Sequence, residues 1–338
     1  MRYLYLMDIH IFNPETDYAL SCPGDAYNPP ASVVRLRKEM ALFPATYARR
    51  GDAVVVVDSP DKEALRKSPH YGAALQKELS ILRLDELGQF LEGGGINLGD
   101  VHLLPWGWNL SLRSLLLRHG VPSSLLKNED EIAEIRRLAH RRTTIPFQRE
   151  LARLLPSLNI MEARELATEE EAMAFAEENP GAYFKMPWSS SGRGVVCASR
   201  MSVQKLREWI HGAISRQGSV IGEHGYDRTA DFATEWVCSG GFARFAGLSW
   251  FSTSSNGNYL RNAPLSQPEI DANIRKASPS WGHDIINAQR EALDSLIAPY
   301  YNGPLGIDML ADKDGRINPC VEINIRMTMG MATILGNL

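Results

Sequence analysis

With 338 residues, 44% of them hydrophobic and 22% charged, the chain is long enough for two or three packed units of ordinary soluble composition. A net charge of −4 provides no global basic field, which argues against nucleic acid as the main partner, and no segment approaches membrane-spanning length. Four widely spaced cysteines, Cys22, Cys197, Cys238 and Cys320, show no C-x-x-C spacing, so reduced thiols in a cytoplasmic protein are expected.

The apolar N-terminal run is interrupted by Asp8 and His10, too early for a signal-peptide core, and predicts a first strand over 3–12. A helix is expected over 31–50, ended by Gly51. Residues 53–57 form a short continuous apolar run, as in a strand covered on both faces. Weaker strands at 79–83 and 101–104 alternate with helical segments, which predicts an α/β unit with a mostly parallel sheet over 1–125. Two loops follow strands here: Asn13 to Tyr18, and Pro105-Trp106-Gly107-Trp108-Asn109. Their residues are either turns, caps and packing, or the floor of a substrate pocket at the carboxyl end of the sheet.

Beyond Glu129 a charged helix is expected to 140, running into Arg141 and Arg142, then an amphipathic helix to 155 and a short strand over 159–163. Thr168 followed by three glutamates is a helix start with a capping Thr and an acidic first turn, and Asn179-Pro180-Gly181 stops that helix. A strand over 182–186 carries Lys185 into the loop Ser189-Ser190-Ser191-Gly192-Arg193-Gly194. Glycine there lets backbone N–H groups wrap an anion, serine hydroxyls add donors, and Lys185 and Arg193 add positive charge. The loop lacks the G-K-[ST] of a Walker A motif. A Ser/Gly hairpin loop without a ligand is the plain alternative.

The last third opens with a strand over 219–226 containing Glu223, His224 and Tyr226. An antiparallel meander over 231–237 and 242–251 follows, turned at Ser239-Gly240-Gly241. A Ser/Asn/Gly-rich loop over 252–258 precedes Arg261, and a long helix over 284–299 leads to a final hairpin. Its second strand alternates: Val321, Ile323 and Ile325 take one face, Glu322, Asn324 and Arg326 the other. A three-residue hairpin loop brings Asp308 opposite Glu322, and two opposed carboxylates repel unless a cation lies between them. Oxygen donors from Asp308, Glu322 and Asn324 suit a hard ion such as Mg2+, with Arg326 placed to hold a phosphate oxygen. A solvated polar edge is the other reading.

Taken in order, the Tyr183-Phe184-Lys185-Met186-Pro187 strand, the Ser/Gly loop, the 223–226 hinge and the Asp308 … Glu322-Ile323-Asn324-Ile325-Arg326 hairpin resemble the ATP-grasp superfamily over about 127–330. The resemblance implies an α/β fold with an N-terminal domain at 1–125 and two α+β lobes at 126–217 and 218–338. It implies ATP, with Mg2+ or Mn2+ held by Asp308, Glu322 and Asn324. The nucleotide would be held by Arg141 (or its neighbour Arg142), Lys185, Ser189, Ser190, Ser191, Gly192, Arg193, Gly194, Glu223, His224, Tyr226 and Asp231. Arg326 and Arg261 would serve the reaction. No arginine immediately precedes Asp308 as in some members, and Arg261, or Arg244 on the meander, is the candidate for that cation.

The implied activity is ADP-forming C–N ligation, in which a small-molecule or peptide carboxylate is activated as an acyl phosphate. A kinase acting on a hydroxyl and a non-catalytic ATP-binding protein are the alternatives. A homodimer is compatible with the resemblance, and neither nucleic acid nor membrane has a role in it.

Overall fold

The computed structural model describes residues 6–58, 62–93, 96–189, 194–253 and 259–337, and the chain divides into two units, Met1–Ile135 with Ala332–Leu338, and Arg136–Met331. The first unit is built on strands β1 (Met7–Ile11), β2 (Ala53–Val56), β3 (Ser80–Arg83) and β4 (Val101–Pro105). All pair in parallel in the order β3-β2-β1-β4, the sheet type expected from the alternation of strands and helices.

The apolar run of β2 is buried along its whole length. Val55 packs with Ile9, Ile11, Leu103, Leu87 and Leu116 on one face, while Val54 and Val56 pack with Leu42 on the other. That is the period of two expected of a strand covered on both sides.

The helix expected over 31–50 is shorter, ending at Glu39, with a separate 3-10 turn at Phe43–Thr46. Pro44 explains the break. It has no N–H to donate to Met40, and its ring clashes with a continuing helix.

The second unit holds two sheets. In the smaller, β5 (Arg164–Leu166), β6 (Tyr183–Lys185), β7 (Val195–Cys197) and β8 (Val220–Glu223) run antiparallel in the order β5-β8-β6-β7. Helices Glu169–Glu178 and Val203–Gln217 contribute Phe175, Leu206 and Ile210 to a core with Phe184 and Val220. The Thr168 cap is closed by Glu171, each side chain accepting from the other's backbone N–H at 3.2 Å.

The strand expected over 159–163 lies later, at β5. Gln148 Oε1 takes the Ala163 N–H at 2.8 Å, and Ile160 donates locally to Leu158, so these residues have no ladder to join.

The larger sheet comprises β9 (Arg228–Ser239), β10 (Phe242–Thr253), β11 (Tyr259–Asn262), β12 (Gly303–Asp312) and β13 (Ile317–Asn324). Its order is β11-β10-β9-β12-β13, with antiparallel neighbours. Gly240 and Gly241, at φ 60° and 85°, make the two-residue β9–β10 turn that side chains would strain. Residues 254–258 of the expected loop lie outside the described residues, and Ser252 and Thr253 belong to β10. Among the described residues, no helix is long and apolar enough to cross a membrane.

The β12–β13 hairpin turns at Lys313–Gly315, where Asp312 N–H donates to Arg316 O at 3.0 Å and Gly315 takes φ 75°. Leu310 then pairs with Asn318, but Asp308 pairs with Glu322, so two steps along β12 answer four along β13. Pro319, with no N–H for a ladder, sits in this bulge. The bulge leaves carbonyls to be satisfied by side chains. Gln289 donates to Pro319 O at 2.7 Å, Gln148 to Cys320 O at 2.8 Å, and Lys185 to Val321 O at 3.3 Å.

Candidate functional site

The bulge fixes where the acidic pair stands. Asp308 and Glu322 are direct cross-strand partners, and Asn324, two residues along β13, hydrogen-bonds the Asp308 carboxyl. Asn324 Oδ1 in turn accepts from Arg326 Nη2 at 2.9 Å, while Arg326 Nη1 donates to Met327 O at 3.0 Å.

Burial first, then the charges of Glu322 and Glu235, push the Asp308 carboxyl up to about 8. Glu322 goes the other way. Burial opposes its ionisation, but Arg141, Lys185 and Arg326 outweigh that and hold its carboxyl below the ordinary range. Opposite shifts on facing carboxylates mean that one charge is already neutralised and the other is not.

The neutralising cations come from other elements. Arg141 opens a short 3-10 turn (Arg141–Thr143) ahead of helix Thr144–Leu154, and its guanidinium is buried. It donates to Glu322 Oε1 at 2.7 Å, Met186 O at 2.7 Å, Ser189 Oγ at 2.6 Å and Ser189 O at 3.1 Å. Arg142 is half exposed and reaches Glu165 at 3.6 Å, away from the acidic pair. Lys185, at the end of β6, pairs with Glu223 Oε2 at 2.6 Å. The Glu223 carboxylate is thus engaged by a lysine from the neighbouring strand.

The loop after β6 is anchored at both ends. Trp188 N–H donates to Gln217 Oε1 at 2.9 Å, its Nε1–H donates to Arg136 O at 3.0 Å, and Arg136 lies 4.2 Å from the ring centroid. On the far side Gly194 O accepts from Met186 N–H at 2.8 Å. Gly194 has φ 74°, and a Cβ there would stand 2.9 Å from Ser189 Oγ. Ser190, Ser191, Gly192 and Arg193 lie outside the described residues.

Beyond β8 the chain runs through His224 and Gly225 to Tyr226. The His224 ring meets Phe175 edge-on at 5.6 Å, and a Cβ on Gly225 would lie 2.2 Å from Gly181 O. Burial, followed by Glu223, pushes the Tyr226 hydroxyl up to about 12. Asp231 on β9 accepts from Thr253 Oγ1 at 2.7 Å and lies 3.3 Å from Arg228.

Arg261 and Arg244 are exposed, on edge strand β11 and on β10. The β11 side chain that feels the acidic cluster is Tyr259, whose hydroxyl is pushed up to about 12 by burial, and further by Glu235 and Asp308.

One group was not singled out in the sequence. Glu235 is buried on β9, accepts from Ser249 Oγ at 2.9 Å and Thr328 Oγ1 at 2.7 Å, and burial pushes its carboxyl up to about 7. A Cβ on Gly330 would stand 1.9 Å from its Oε1, and one on Gly306 2.8 Å from its Oε2. The available signal was a carboxylate inside an apolar strand with glycines later in the chain.

In the first unit, Asn13 and Asn109 are buried and spent on structure. Asn13 Nδ2 donates to Gly107 O at 2.7 Å, and Asn109 Oδ1 caps the helix Leu110–Arg118 by accepting from Leu112 N–H. Trp106 is buried edge-on against Phe12 at 5.1 Å. These members of the two loops are caps and packing.

No protein-family model matches this chain, and no curated protein matches it in sequence. Solved structures do match its fold. A biotin carboxylase from Campylobacter jejuni in a β,γ-ATP complex is 13% identical, with TM-score 0.55, covering 100% of this chain and 71% of its own. The biotin carboxylase domain of Hydrogenobacter thermophilus 2-oxoglutarate carboxylase, a dimer with MgADP, ADP and bicarbonate, is 11% identical, with TM-score 0.53 and coverages of 98% and 68%. Phosphoribosylamine–glycine ligase from Thermotoga maritima is 12% identical, with TM-score 0.52 and coverages of 97% and 71%.

Proposed function

We propose that this chain, whose fold is that of the ATP-grasp proteins, is an ADP-forming ligase that activates a substrate carboxylate for attack by an amine. The observation that carries this reading is the Asp308–Glu322 pair, with Asp308 left protonatable while Arg141 and Lys185 bracket Glu322.

An all-oxygen donor set of Asp308, Glu322 and Asn324, with one carboxyl pushed up by the other, fits a hard divalent cation. Bound there, Mg2+ would neutralise nucleotide phosphate charge. MgADP in the Hydrogenobacter structure supports the same choice.

The chain's own residues do the rest. Lys185 and Arg141 hold nucleotide phosphates, with Ser189 and the Gly194 backbone at the loop ends adding donors. Glu223, His224 and Tyr226 flank the base, and Asp231 accepts from the ribose. Arg326 balances charge on the transferring phosphoryl group. The substrate carboxylate oxygen bonds to the γ-phosphorus as the bond to the β–γ bridging oxygen breaks, releasing ADP. The amine nitrogen then bonds to the acyl carbon, phosphate leaves with the C–O electron pair, and the amine gives up a proton. Positioning and charge neutralisation are the protein's contribution. In this reading the smaller sheet belongs to one lobe and the larger sheet to the other, with β8 (Val220–Glu223), expected in the second lobe, joining the sheet of the first.

The test is ADP release screened over amino acids, peptides and other carboxylates with amine acceptors, followed by product analysis. Free phosphate and an amide in equal amounts support the ligase. A stable phosphoester identifies a kinase instead, and ATP binding without ADP release across the panel identifies a binding protein.

A further inference from the structure

The first unit carries a polar cluster, at the amino end of its sheet, that the nucleotide reading does not use. Asp8 and His10 stand two apart on β1 and so share a face. In the register of the sheet Asp8 lies beside His102 of β4, and on the other side Asp52 precedes the Ile9–Ala53 pair by one step. Three neighbouring strands thus bring two carboxylates and two imidazoles to the same face. Asp52 and His10 are buried, the Asp8 side chain is 13% exposed, and His102, at 52%, borders on solvent.

Contacts of these carboxylates with Arg49 are short. Its backbone N–H donates to Asp52 Oδ2 at 2.7 Å, and its Nη2 donates to Asp8 Oδ2 at 2.5 Å. The imidazole contacts are long: His10 Nε2 is 3.3 Å from Asp52 Oδ2, and His102 Nδ1 is 3.2 Å from Asp8 Oδ1. An N–H that donates to a carboxylate ordinarily settles at about 2.7–2.9 Å. A separation of about 3.3 Å is instead the edge of a tetrahedron whose corners lie about 2.0–2.1 Å from a zinc ion. One ligand atom each from Asp8, His10 and Asp52 lie within 4.8 Å of one another, close enough to converge on a single ion.

We propose that Asp8, His10 and Asp52, joined by His102, form a zinc site that pins the amino ends of β2, β1 and β4. Two imidazoles and two carboxylates supply the four nitrogen and oxygen donors that zinc takes in a closed, structural site. Mg2+ and Ca2+ take six or more oxygen ligands, so the imidazoles select against them. Each ring binds as the neutral imidazole, with its proton on the nitrogen that does not meet the metal. Arg49 reaches the other oxygen of Asp8, and its backbone N–H fixes the Asp52 carboxylate, so it serves as the outer partner of two ligands. The site lies wholly within the first unit and does not depend on the ligase reading.

The test uses the full chain, freed of metal by a chelator and titrated with ZnCl2 by calorimetry. Nucleotide is left out, and excess Mg2+ competes for oxygen sites such as Asp308–Glu322. One equivalent of zinc should bind with Kd about 1 µM or tighter and raise the thermal unfolding midpoint. Co2+ in its place should give the intense visible absorption of a tetrahedral site. His102→Ala, at the exposed end of the cluster, and Asp8→Asn should each weaken zinc about tenfold or more. Absence of zinc binding to the wild-type chain overturns the site, and so does the weak absorption of octahedral Co2+. Wild-type affinity in either variant also overturns it, and would mean an adventitious ion only, held by surface histidines. If Asp8→Asn fails to fold by circular dichroism, His102→Ala decides alone. Because zinc is read without ATP, a negative result leaves the ligase reading intact. Conversely, failure of ADP release in every screen leaves the zinc site standing.

Discussion

Arg141 and Glu322, 181 positions apart, share an ion pair of 2.7 Å that ties the turn before helix Thr144–Leu154 to the second strand of the acidic hairpin. The same guanidinium grips Ser189, so one buried cation sets both a candidate metal ligand and the start of the Ser/Gly loop. Arg141→Met should leave Glu322 without the largest charge that lowers its carboxyl. Breaking a buried pair costs about 3–5 kcal/mol, and partial exposure of Glu322 places this one at the low end. Urea unfolding should show the loss, and MgATP binding should fall at least tenfold. The double variant Arg141→Met/Glu322→Gln should regain most of the stability but no nucleotide binding. Wild-type MgATP affinity in Arg141→Met would remove Arg141 from the phosphate site.

Asp308 predicts a pH dependence. Its carboxyl is pushed up to about 8, above the ordinary 3.8, so the folded state holds the proton more tightly than the unfolded chain does. The stability this provides is fully present below the ordinary value and is lost as pH rises toward about 8. Asp308→Asn has no proton to lose, so its unfolding midpoint should decline less between pH 4 and pH 8. The same variant should lose Mg2+-dependent ADP release. Equal decline in variant and wild type would show that Asp308 is not strained by its neighbours.

Much of this was legible because it rests on alternation. The fully buried run of β2 and the polar face of β13 each follow from a period of two, and Asp308 faces Glu322 as expected from a three-residue loop, although the Lys313–Gly315 loop alone would set Asp308 opposite Cys320. The route to that register was not legible. A bulge at Pro319 is made tolerable by Gln148 and Gln289, and glutamines on helices look the same whether they face solvent or a stranded carbonyl. Arg141 and Arg142 are chemically identical neighbours. Only the turn, in which His140 Nδ1 accepts the Arg142 N–H at 3.0 Å, sends one inward and the other toward Glu165. Asp8 and His10 stood out as interruptions of an apolar run, but their neighbours Asp52 and His102 depend on which strands come to flank β1.

Gly225 gives a steric prediction. A Cβ there would stand 2.2 Å from Gly181 O, a backbone atom that cannot rotate aside. Gly225→Ala must therefore move either the stretch after β8 or the turn that ends helix Glu169–Glu178. Forced overpacking of this kind costs about 1–3 kcal/mol, and the exposed position puts it at the lower end. Because Glu223 and Tyr226 flank the site of strain, nucleotide affinity should drop more than the unfolding midpoint does. Isothermal titration with an ATP analogue beside urea unfolding checks this. An alanine variant with wild-type affinity and stability would mean that the contact relaxes without cost.

Glu235 separates a structural carboxyl from a nucleotide-linked one. Its carboxyl is pushed up to about 7 by burial, against the hydroxyls of Thr328 and Ser249, which work to lower it. The sign is the same as for Asp308, but the window is lower: stability is lost as pH rises from about 4.5 to about 7, then levels off. A rise of that size corresponds to about 3 kcal/mol, so Glu235→Gln should be markedly more stable relative to wild type at pH 8 than at pH 5. The glutamine retains the shape that Gly306 and Gly330 accommodate, and it can still hydrogen-bond both hydroxyls. Glu235 also helps to raise the Asp308 carboxyl, so its removal should lower the pH at which Asp308 ionises. The two single variants and the double variant, unfolded in urea from pH 4 to pH 9, should therefore be non-additive near pH 7 and additive at pH 4, where both carboxyls are protonated. Additivity at every pH would mean that the two groups do not sense each other, and that the buried glutamate serves packing alone.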